Sequence, residues 1–366
     1  MAERRCLVRE SGGKSPPMFA IASRSTLQLR FDSCLRVMSS SHSITHVATL
    51  EASEERLWSV RWSPTQASFA AAGADMAVRI FSSPNESNSS WHMDVELSSA
   101  ADRSVRSVAW HPAGNLLATA AFDSTVNVWE LDEDTREWLP LASLEGHDTE
   151  VKDVCWSPDG ALMASCGRDK AIWLWEGEAE YDFECVAVLH GHGGDVKHLC
   201  WTSCTELISC SYDDTLRVWQ DPAEDGTWAE AACLTGHTNT VWCVAARACG
   251  NWLASCSQDG SIRLWKRQAD GSWACAAQRS SAHEHCVYSV AWHPGSDGPL
   301  ALLSAGADNA LRLWQVSDEG MQLAAEVHTA HELDVNSVDW CAANPAWAAT
   351  ASDDGQVKVW QLPALS

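Results

Sequence analysis

Hydrophobic and polar residues alternate with a period of two through most of the chain, which predicts β-strands and not helices. A clear example is VKDVCW (151–156), followed by a Ser-Pro-Asp-Gly turn, ALMASC (161–166), an Asp-centred turn and AIWLW (171–175). Another alternating segment then follows an acidic loop, as in WLPLASL (138–144) and FECVAVL (183–189). Each such unit therefore predicts four short antiparallel strands joined by tight turns.

This unit occurs seven times along the chain. Each copy has a turn aspartate, and successive aspartates lie 44 to 49 residues apart, at Asp75, Asp123, Asp169, Asp213, Asp259, Asp308 and Asp354. An aromatic residue closes each copy six residues later: Phe81, Trp129, Trp175, Trp219, Trp265, Trp314 and Trp360. One four-stranded sheet cannot bury both of its apolar faces, so seven of them are expected to pack around a common axis. The repeat thus predicts an all-β, seven-bladed β-propeller.

Two short motifs connect the repeat to a known family. A Gly-His pair precedes the first strand in Gly146-His147, Gly191-His192 and Gly236-His237, and a Trp closes six of the copies. With a period in the mid-forties, this pattern resembles the WD-repeat family. The resemblance implies a WD-repeat β-propeller.

The two ends of the chain predict how the ring closes. The last repeat ends in QLPALS after Trp360, which is too short for an outer strand, whereas residues 44–50 form a strand without a repeat of its own. This N-terminal strand is expected to complete the last blade and to remove an open sheet edge. The propeller then covers residues 44–366. Residues 1–43, with seven Lys or Arg and three Asp or Glu, are expected to be an extension: a disordered tail, a transit-like segment or sequence upstream of the true start.

The composition narrows the classes of partner. The chain has 25 Lys and Arg against 49 Asp and Glu, a net charge of −24. Such a field repels phosphate backbones and anionic lipids, so neither nucleic acid nor membrane is expected as a partner. The 15 cysteines include no Cys-x-x-Cys pair, which favours reduced thiols in an intracellular protein. Cys200, Cys204 and Cys210 are expected on a strand, its turn and the next strand, so we predict no metal site and no cofactor.

Five repeats place His, Ser or Thr, Asp and Trp in a constant register. In chain order, the sets are His147, Ser165, Asp169 and Trp175; His192, Ser209, Asp213 and Trp219; His237, Ser255, Asp259 and Trp265; His283, Ser304, Asp308 and Trp314; and His331, Thr350, Asp354 and Trp360. A catalytic triad needs one such group beside a pocket and an oxyanion hole, so five copies favour a structural role and no enzyme. In WD-repeat proteins these residues form a buried hydrogen-bonded chain, which stiffens the blade when complete. Ser53 and Ala101 occupy the His position in the first two repeats, whose blades are expected to be looser.

Two repeat positions point to the partner-binding face in the WD-repeat family. The residues before the turn aspartates are Ala74, Phe122, Arg168, Tyr212, Gln258, Ala307 and Asp353, and the second residues of the first strands are Trp58, Arg106, Lys152, Lys197, Trp242, Tyr288 and Asn336. These fourteen positions contain four cations and one acid, the reverse of the whole chain. We predict a pocket for an acidic or C-terminal peptide, formed by Trp58, Arg106, Phe122, Lys152, Arg168, Lys197, Tyr212, Trp242 and Tyr288. The alternative is that they are ordinary exposed residues of a broad face.

The third and fourth repeats carry a more specific signature. Glu150-Val151-Lys152, Arg168-Asp169-Lys170, Asp195-Val196-Lys197-His198 and Tyr212-Asp213-Asp214-Thr215 occur together here. This combination resembles the WD-repeat proteins of cytosolic iron–sulfur protein assembly, in which Arg168 matches a functional residue of the face.

The resemblance implies a non-enzymatic adaptor of the complex that targets preassembled iron–sulfur clusters to apoproteins. Its implied partners are a small acidic scaffold-type subunit, a helical-repeat subunit, an iron-only-hydrogenase-like carrier and apoprotein clients. The implied location is the cytoplasm, with a nuclear pool left open. The alternative is a WD-repeat adaptor of another assembly, such as a ubiquitin ligase, chromatin or transport complex.

Overall fold

The computed structural model describes residues 43–83, 90–98, 100–132, 134–177, 182–296, 299–317 and 319–365. Apart from Ser43, the predicted extension 1–43 lies outside these residues. Within them the chain forms 28 strands and no helix, so none of the described segments is a helix long and apolar enough to cross a membrane. The predicted all-β class is confirmed.

The strands group into seven blades, named in chain order. Blade 1 contains β2 (Leu57–Trp62), β3 (Ser68–Gly73), β4 (Val78–Ser82) and β5 (His92–Leu97), and blade 2 contains β6 (Val105–Trp110), β7 (Leu116–Ala121), β8 (Thr125–Leu131) and β9 (Trp138–Glu145). Blade 3 contains β10 (Val151–Trp156), β11 (Leu162–Gly167), β12 (Ala171–Gly177) and β13 (Phe183–His190), and blade 4 contains β14 (Val196–Ser203), β15 (Glu206–Ser211), β16 (Leu216–Gln220) and β17 (Ala229–Leu234). Blade 5 contains β18 (Val241–Ala246), β19 (Trp252–Ser257), β20 (Ile262–Arg267) and β21 (Trp273–Arg279), and blade 6 contains β22 (Val287–Trp292), β23 (Ala301–Gly306), β24 (Leu311–Ser317) and β25 (Gly320–Val327). Blade 7 contains β26 (Val335–Trp340), β27 (Trp347–Ser352), β28 (Gln356–Gln361) and β1 (Thr45–Glu51).

The first strand of each blade lies next to the first strands of its neighbours. Contacts run from β2 through β6, β10, β14, β18 and β22 to β26, and β26 contacts β2 again. The seven inner strands therefore line the axis of a closed ring, as the repeat predicted.

The N-terminal strand closes this ring. β1 pairs antiparallel with β28, and Thr49 lies opposite Lys358. The sheet order of blade 7 is β1-β28-β27-β26, so the last blade takes its outer strand from the beginning of the chain. The predicted closure is confirmed, with the strand at Thr45–Glu51 and not 44–50.

The core lies between consecutive blades. Every residue of β15 is buried, because this strand is covered by a blade on either side. Ile172 and Leu174 of blade 3 pack with Val196, Leu199 and Trp201 of blade 4 in one apolar cluster. Burial of both sheet faces thus explains why the second strands consist mainly of apolar and small residues.

The turns between second and third strands share one backbone geometry. The residue after each turn aspartate has a positive φ, at Met76, Ser124, Lys170, Asp214, Gly260, Asn309 and Gly355. The aspartate holds the turn through its carboxylate; Asp169 Oδ1, for example, accepts the Ala171 amide N–H at 3.1 Å. This Asx-type turn places the preceding residue, such as Phe122 or Arg168, at one end of the propeller.

Candidate functional site

In five blades the structure brings together the His, Ser or Thr, Asp and Trp of the repeat. His Nδ1 lies 2.7–3.0 Å from the carboxylate of the turn aspartate. His Nε2 lies 2.7–2.9 Å from the hydroxyl, and the indole Nε1 lies 2.8–3.0 Å from the same hydroxyl. The carboxylate only accepts and the indole only donates, so the order of donors is fixed: indole to hydroxyl, hydroxyl to His Nε2, and His Nδ1 to aspartate.

The hydroxyl at the centre of each network is fully enclosed by its blade. Five residues supply it, each with no exposed surface: Ser165, Ser209, Ser255, Ser304 and Thr350. In blade 5, Ser255 Oγ lies 2.9 Å from His237 Nε2 and accepts the Trp265 indole N–H at 3.0 Å. In blades 6 and 7, Ser304 Oγ and Thr350 Oγ1 each lie 2.7 Å from the histidine and 2.8 Å from the indole nitrogen. These hydroxyls are therefore closed to a substrate and serve the structure of the blade.

The network shifts the acid–base properties of its members. Burial raises the pKa of Asp354, but the hydrogen bond and charge of His331 and two backbone N–H groups together lower it to about 2. The pKa values of Asp169, Asp213, Asp259 and Asp308 are also lowered, although burial alone would raise them. Burial lowers the pKa of His283 and His331. Each proton donated within the indole, hydroxyl, His and Asp network has an acceptor, which is typical of a rigid structural element.

Blade 1 replaces this network with an apolar cluster. Ala71 occupies the hydroxyl position and Phe81 the indole position, and Phe81 stacks on Phe69 at 5.3 Å between ring centroids. Ser53, at the His position, donates its hydroxyl to Asp75 Oδ2 at 2.8 Å. Trp91 packs on Phe69 as well, at 5.4 Å. The turn aspartate therefore keeps a hydrogen-bond partner, and the aromatic rings pack together.

A cavity of about 320 Å³ opens at the end of the axis where these turns lie. Each blade contributes the second residue of its first strand to the lining: Trp58, Arg106, Lys152, Lys197, Trp242, Tyr288 and Asn336. All seven side chains are half-buried. Phe122 and Asp353 join them from the turns before the repeat aspartates. The structure thus brings most of the predicted partner-binding residues to one concave site.

The cations of this axial cavity lie against its aromatic rings. The Lys152 ammonium is 4.0 Å from the centroid of the Phe122 ring, and the Lys197 ammonium is 5.2 Å from that of Trp242. The Arg106 guanidinium is 5.2 Å from the centroid of Trp58. These contacts hold the cations by cation–π attraction and keep the apolar stems packed. A ligand here would meet positive charge and aromatic surface together.

Crowding of like charges affects the lysine at the centre of this group. Burial, together with the neighbouring charge of Lys197, lowers the pKa of Lys152 to about 8. Burial also lowers the pKa of Arg106, which lies in the adjacent blade. Both groups lose water without gaining a full counter-charge, so an anion from a ligand would be attracted here.

The opposite wall of the cavity carries acids, and sequence reasoning missed two of the residues there. Asp353 accepts a hydrogen bond from Asn336 at 2.6 Å and lies 3.6 Å from Arg56. Asp334 accepts the Tyr288 hydroxyl at 3.3 Å, and burial raises its pKa. Arg56 and Asp334 both sit just outside the two repeat positions used for prediction. Only their charge and their place at the entry to a first strand could have indicated them.

Two predicted partner-binding residues are not part of the lining. Arg168 is exposed on the same end of the propeller and lies 3.2 Å from Glu150 of its own blade. Tyr212 is 61% exposed, with the Lys197 ammonium 5.5 Å from its ring centroid. Both residues therefore border the cavity, where a larger partner would reach them.

The cysteines lie where the strand pattern placed them. Cys200 is on β14, Cys204 in the following turn and Cys210 on β15. Burial raises the pKa of all three thiols. In the described part of the chain, no group of three or more His, Cys, Asp or Glu side chains could hold a metal ion.

Comparison with known proteins agrees with the repeat structure. The family model described as "WD domain, G-beta repeat" matches residues 44–82, 95–130, 138–176, 183–220, 228–266, 275–315 and 324–361. The "Probable cytosolic iron-sulfur protein assembly protein CIAO1 homolog" of Schistosoma japonicum is 35% identical over 356 residues, covering 87% of this chain and 98% of that protein. The "Cytosolic iron-sulfur protein assembly protein 1" of Saccharomyces cerevisiae is 38% identical over 333 residues, covering 87% and 98%. The chain belongs to the WD-repeat family of cytosolic iron–sulfur protein assembly proteins.

Proposed function

We propose that this protein is a non-enzymatic adaptor of the cytosolic iron–sulfur targeting complex, where it docks assembly factors and apoprotein clients for cluster insertion. Its relatives are named for cytosolic iron–sulfur protein assembly. A rigid ring of seven blades offers a broad surface to several partners at once. The proposed partners are the small acidic scaffold-type subunit, the helical-repeat subunit, the iron-only-hydrogenase-like carrier and the clients, met in the cytoplasm.

The axial cavity is the observation that supports this proposal. In a protein of charge −24, three cations from adjacent blades converge on one concave, aromatic site. Carboxylates of an acidic or C-terminal peptide would pair with Arg106, Lys152 and Lys197. Its apolar side chains would pack on Trp58 and Phe122, as anchors do at interaction hot spots.

The same cavity argues for binding over catalysis. Its two lysines and two arginines lie against aromatic rings, and none is paired with a nucleophile in the way that a general base would be. The repeated His and Asp groups point into the blades, where their protons are already shared. We therefore propose a site that recognises partners and performs no chemistry of its own.

Affinity purification from the native cell, with mass spectrometry of the recovered proteins, tests the proposal. The wild type is compared with Lys152→Glu and Arg168→Glu, and with Arg136→Glu as a matched charge reversal. Arg136 is exposed in the loop between β8 and β9, which the strand directions place at the opposite end of the blade.

Iron–sulfur assembly proteins should accompany the wild type and Arg136→Glu, whereas the two cavity-side variants should lose clients selectively. Recovery of ubiquitin ligase, chromatin or transport subunits in their place would contradict the assignment. Full retention of clients by both cavity-side variants would contradict the site.

A further inference from the structure

Blade 2 keeps three members of the four-residue network and lacks one. Thr119, Asp123 and Trp129 occupy the hydroxyl, carboxylate and indole positions, and Thr119 lies opposite Asn127 just as Ser165 lies opposite Trp173. The His position holds Ala101. The residue before it makes the same backbone hydrogen bond as the residue before a network histidine. Ala100 N donates to Met76 O at 3.0 Å, and Ala282 N, before His283, donates to Gly260 O at 2.8 Å. Met76 and Gly260 both follow the turn aspartate of the preceding blade.

The missing side chain coincides with a cavity. Ala100, Ala101, Asp123 and Trp129 line a space of about 420 Å³ that opens to the surface beside Pro140–Ser143 of β9. This is many times the ~30 Å³ that one water molecule occupies in the liquid. A five-membered ring fits such a space easily.

The neighbouring surface leaves this cavity accessible. At the position of Asn127 the other six blades have long or bulky side chains: Arg79, Trp173, Arg217, Arg263, Arg312 and Lys358. Trp173, for example, packs beside His147 with 5.5 Å between ring centroids. Asn127 is shorter, and its amide is turned to Ala100 O and Thr125 Oγ1, both at 3.1 Å.

The carboxylate of blade 2 is arranged as if a histidine were present. Asp123 Oδ1 accepts the N–H and the hydroxyl of Thr125 at 3.0 and 2.7 Å, and Oδ2 accepts the Asp102 N–H at 2.7 Å. In blade 4, Asp213 accepts the equivalent three bonds at 3.1, 2.6 and 2.8 Å, and its Oδ2 also lies 2.9 Å from His192 Nδ1. The two aspartates differ only in the imidazole.

The other end of the network is incomplete too. Among the six closing tryptophans, only Trp129 has a buried indole Nε1 without a hydrogen-bond partner in the described residues. The Thr119 hydroxyl donates instead to Asn127 O at 3.3 Å. Leaving a buried donor unpaired is costly, so a group that turns this hydroxyl back towards Trp129 is favoured. In blade 1 no part of the network is left incomplete, because hydroxyl, indole and imidazole are all replaced there.

We propose that the blade 2 cavity binds an imidazole ring, supplied by a small molecule or by a histidine side chain of a partner. One ring nitrogen donates to Asp123 Oδ2, which lines the cavity. Thr119 is not part of the lining and has no exposed surface, so its side chain must turn for its hydroxyl to reach the other ring nitrogen and to accept the Trp129 indole N–H. Asp102 and Asp123 give the cavity a negative field, which favours an imidazole over an anionic ligand. The bound ring completes the network that the other blades build from their own chain.

Thermal unfolding of the full chain at pH 8 tests the proposal with three probes: imidazole, 1-methylimidazole and N-acetyl-histidine methylamide. Imidazole should raise Tm in a saturable way, because a ligand of the native state stabilises it by mass action. 1-Methylimidazole has no N–H for Asp123 and should have less effect. A response to the histidine amide identifies a protein side chain as a fitting source, whereas a response to imidazole alone identifies a small molecule.

Variants show whether the response comes from blade 2. Ala101→His should raise Tm by about 1–2 °C without ligand and remove the imidazole response. Ala101→Leu blocks the cavity without rebuilding the network and should also remove the response, so the test stands even if Ala101→His folds poorly. Equal responses in the wild type and both variants, or no response in the wild type, would overturn the proposal and leave the cavity to water.

Discussion

The ammonium nitrogen of Lys152 lies 4.0 Å from the centroid of the Phe122 ring, at the mouth of the axial cavity. Lys152 is the second residue of the first strand of blade 3, and Phe122 precedes the turn aspartate of the adjacent blade 2. Their contact depends on the fixed spacing between blades 2 and 3 in the closed ring. A charge and an aromatic surface are thereby presented together to a partner.

Docking at this cavity should depend on pH near 8. Burial and the charge of Lys197 lower the pKa of Lys152 to about 8, so the ammonium is lost as the pH rises from 7 to 9. An acidic partner then loses one charge-assisted contact, and its affinity should fall about tenfold. Binding of a partner recovered by affinity purification, measured across this range, checks the prediction.

The control for this prediction is Lys152→Arg, because a guanidinium keeps its charge throughout the range. The variant should bind at pH 9 nearly as well as at pH 7. An equal fall in affinity for wild type and Lys152→Arg would show that another group is responsible.

Removing one hydroxyl from a complete network should destabilise the ring. Ser209→Ala leaves the Trp219 indole N–H and His192 Nε2 without the group they share, at 2.8 and 2.7 Å in the native blade. The expected loss is about 1–3 kcal/mol in the free energy of unfolding, measured with urea. Ser203→Ala, an exposed serine of the same blade, should change it by less than about 0.5 kcal/mol. Similar values for both variants would contradict the role of the network.

Interrupting the closing strand should open the ring. Ala48 lies opposite Val359, and proline there removes a backbone donor and the extended pairing of β1. We expect Ala48→Pro to lower the urea midpoint and to promote aggregation through the exposed edge of β28. Ala48→Gly keeps the donor and should cost less than about 1 kcal/mol. Closure by β1 would be contradicted if the two variants behaved alike.

Stability should fall in acid in two stages. Burial lowers the pKa of His283 and His331, so below about pH 6.5 the unfolded chain takes up protons that the folded chain refuses. Below about pH 4 the turn carboxylates become protonated in the unfolded chain before the folded one, which lowers the free energy of unfolding a second time. This second loss is complete only below the pKa in the folded state, which is about 2 for Asp354. Urea unfolding between pH 7 and 3 measures both stages. A midpoint that stayed constant from pH 7 to 4 would contradict the contribution of the two histidines.

The architecture was predictable because the repeat encodes it at single positions. An aspartate at each turn and a closing aromatic residue six positions later determine the blades and their number, and the strand left over at residues 44–50 determines the closure. The same periodicity brought Lys152 and Lys197 to one site. Arg56 and Asp334 were missed because they precede the first strands, where the repeat has no constant residue.

The hydroxyls of the blade networks could be chosen from the sequence by their register alone. Ser255, Ser304 and Thr350 each stand four residues before the turn aspartate, and the structure places each between its histidine and its tryptophan. Threonine can replace serine in blade 7 because only the hydroxyl takes part in these hydrogen bonds.

Side-chain detail depended on contacts that the sequence does not reveal. Arg168 matched a family motif, yet its guanidinium pairs with Glu150 beside the cavity and not within it. The missing histidine of blade 2 could be read as Ala101, but the cavity also depends on the size and orientation of Asn127. The position of Arg168 and the shape of the blade 2 cavity depend on side-chain packing, which the sequence pattern does not specify.

Photocrosslinking from the cavity tests the central claim most directly. A benzoyl-phenylalanine is placed at Phe122, which lines the site, or at Arg136, which lies at the opposite end of the blade. The cross-linked peptides are identified from intact cells. The account predicts acidic or C-terminal segments of iron–sulfur proteins and their assembly factors, linked at 122 and not at 136. Equal yields at both positions, or segments from proteins unconnected with iron–sulfur clusters, would contradict it.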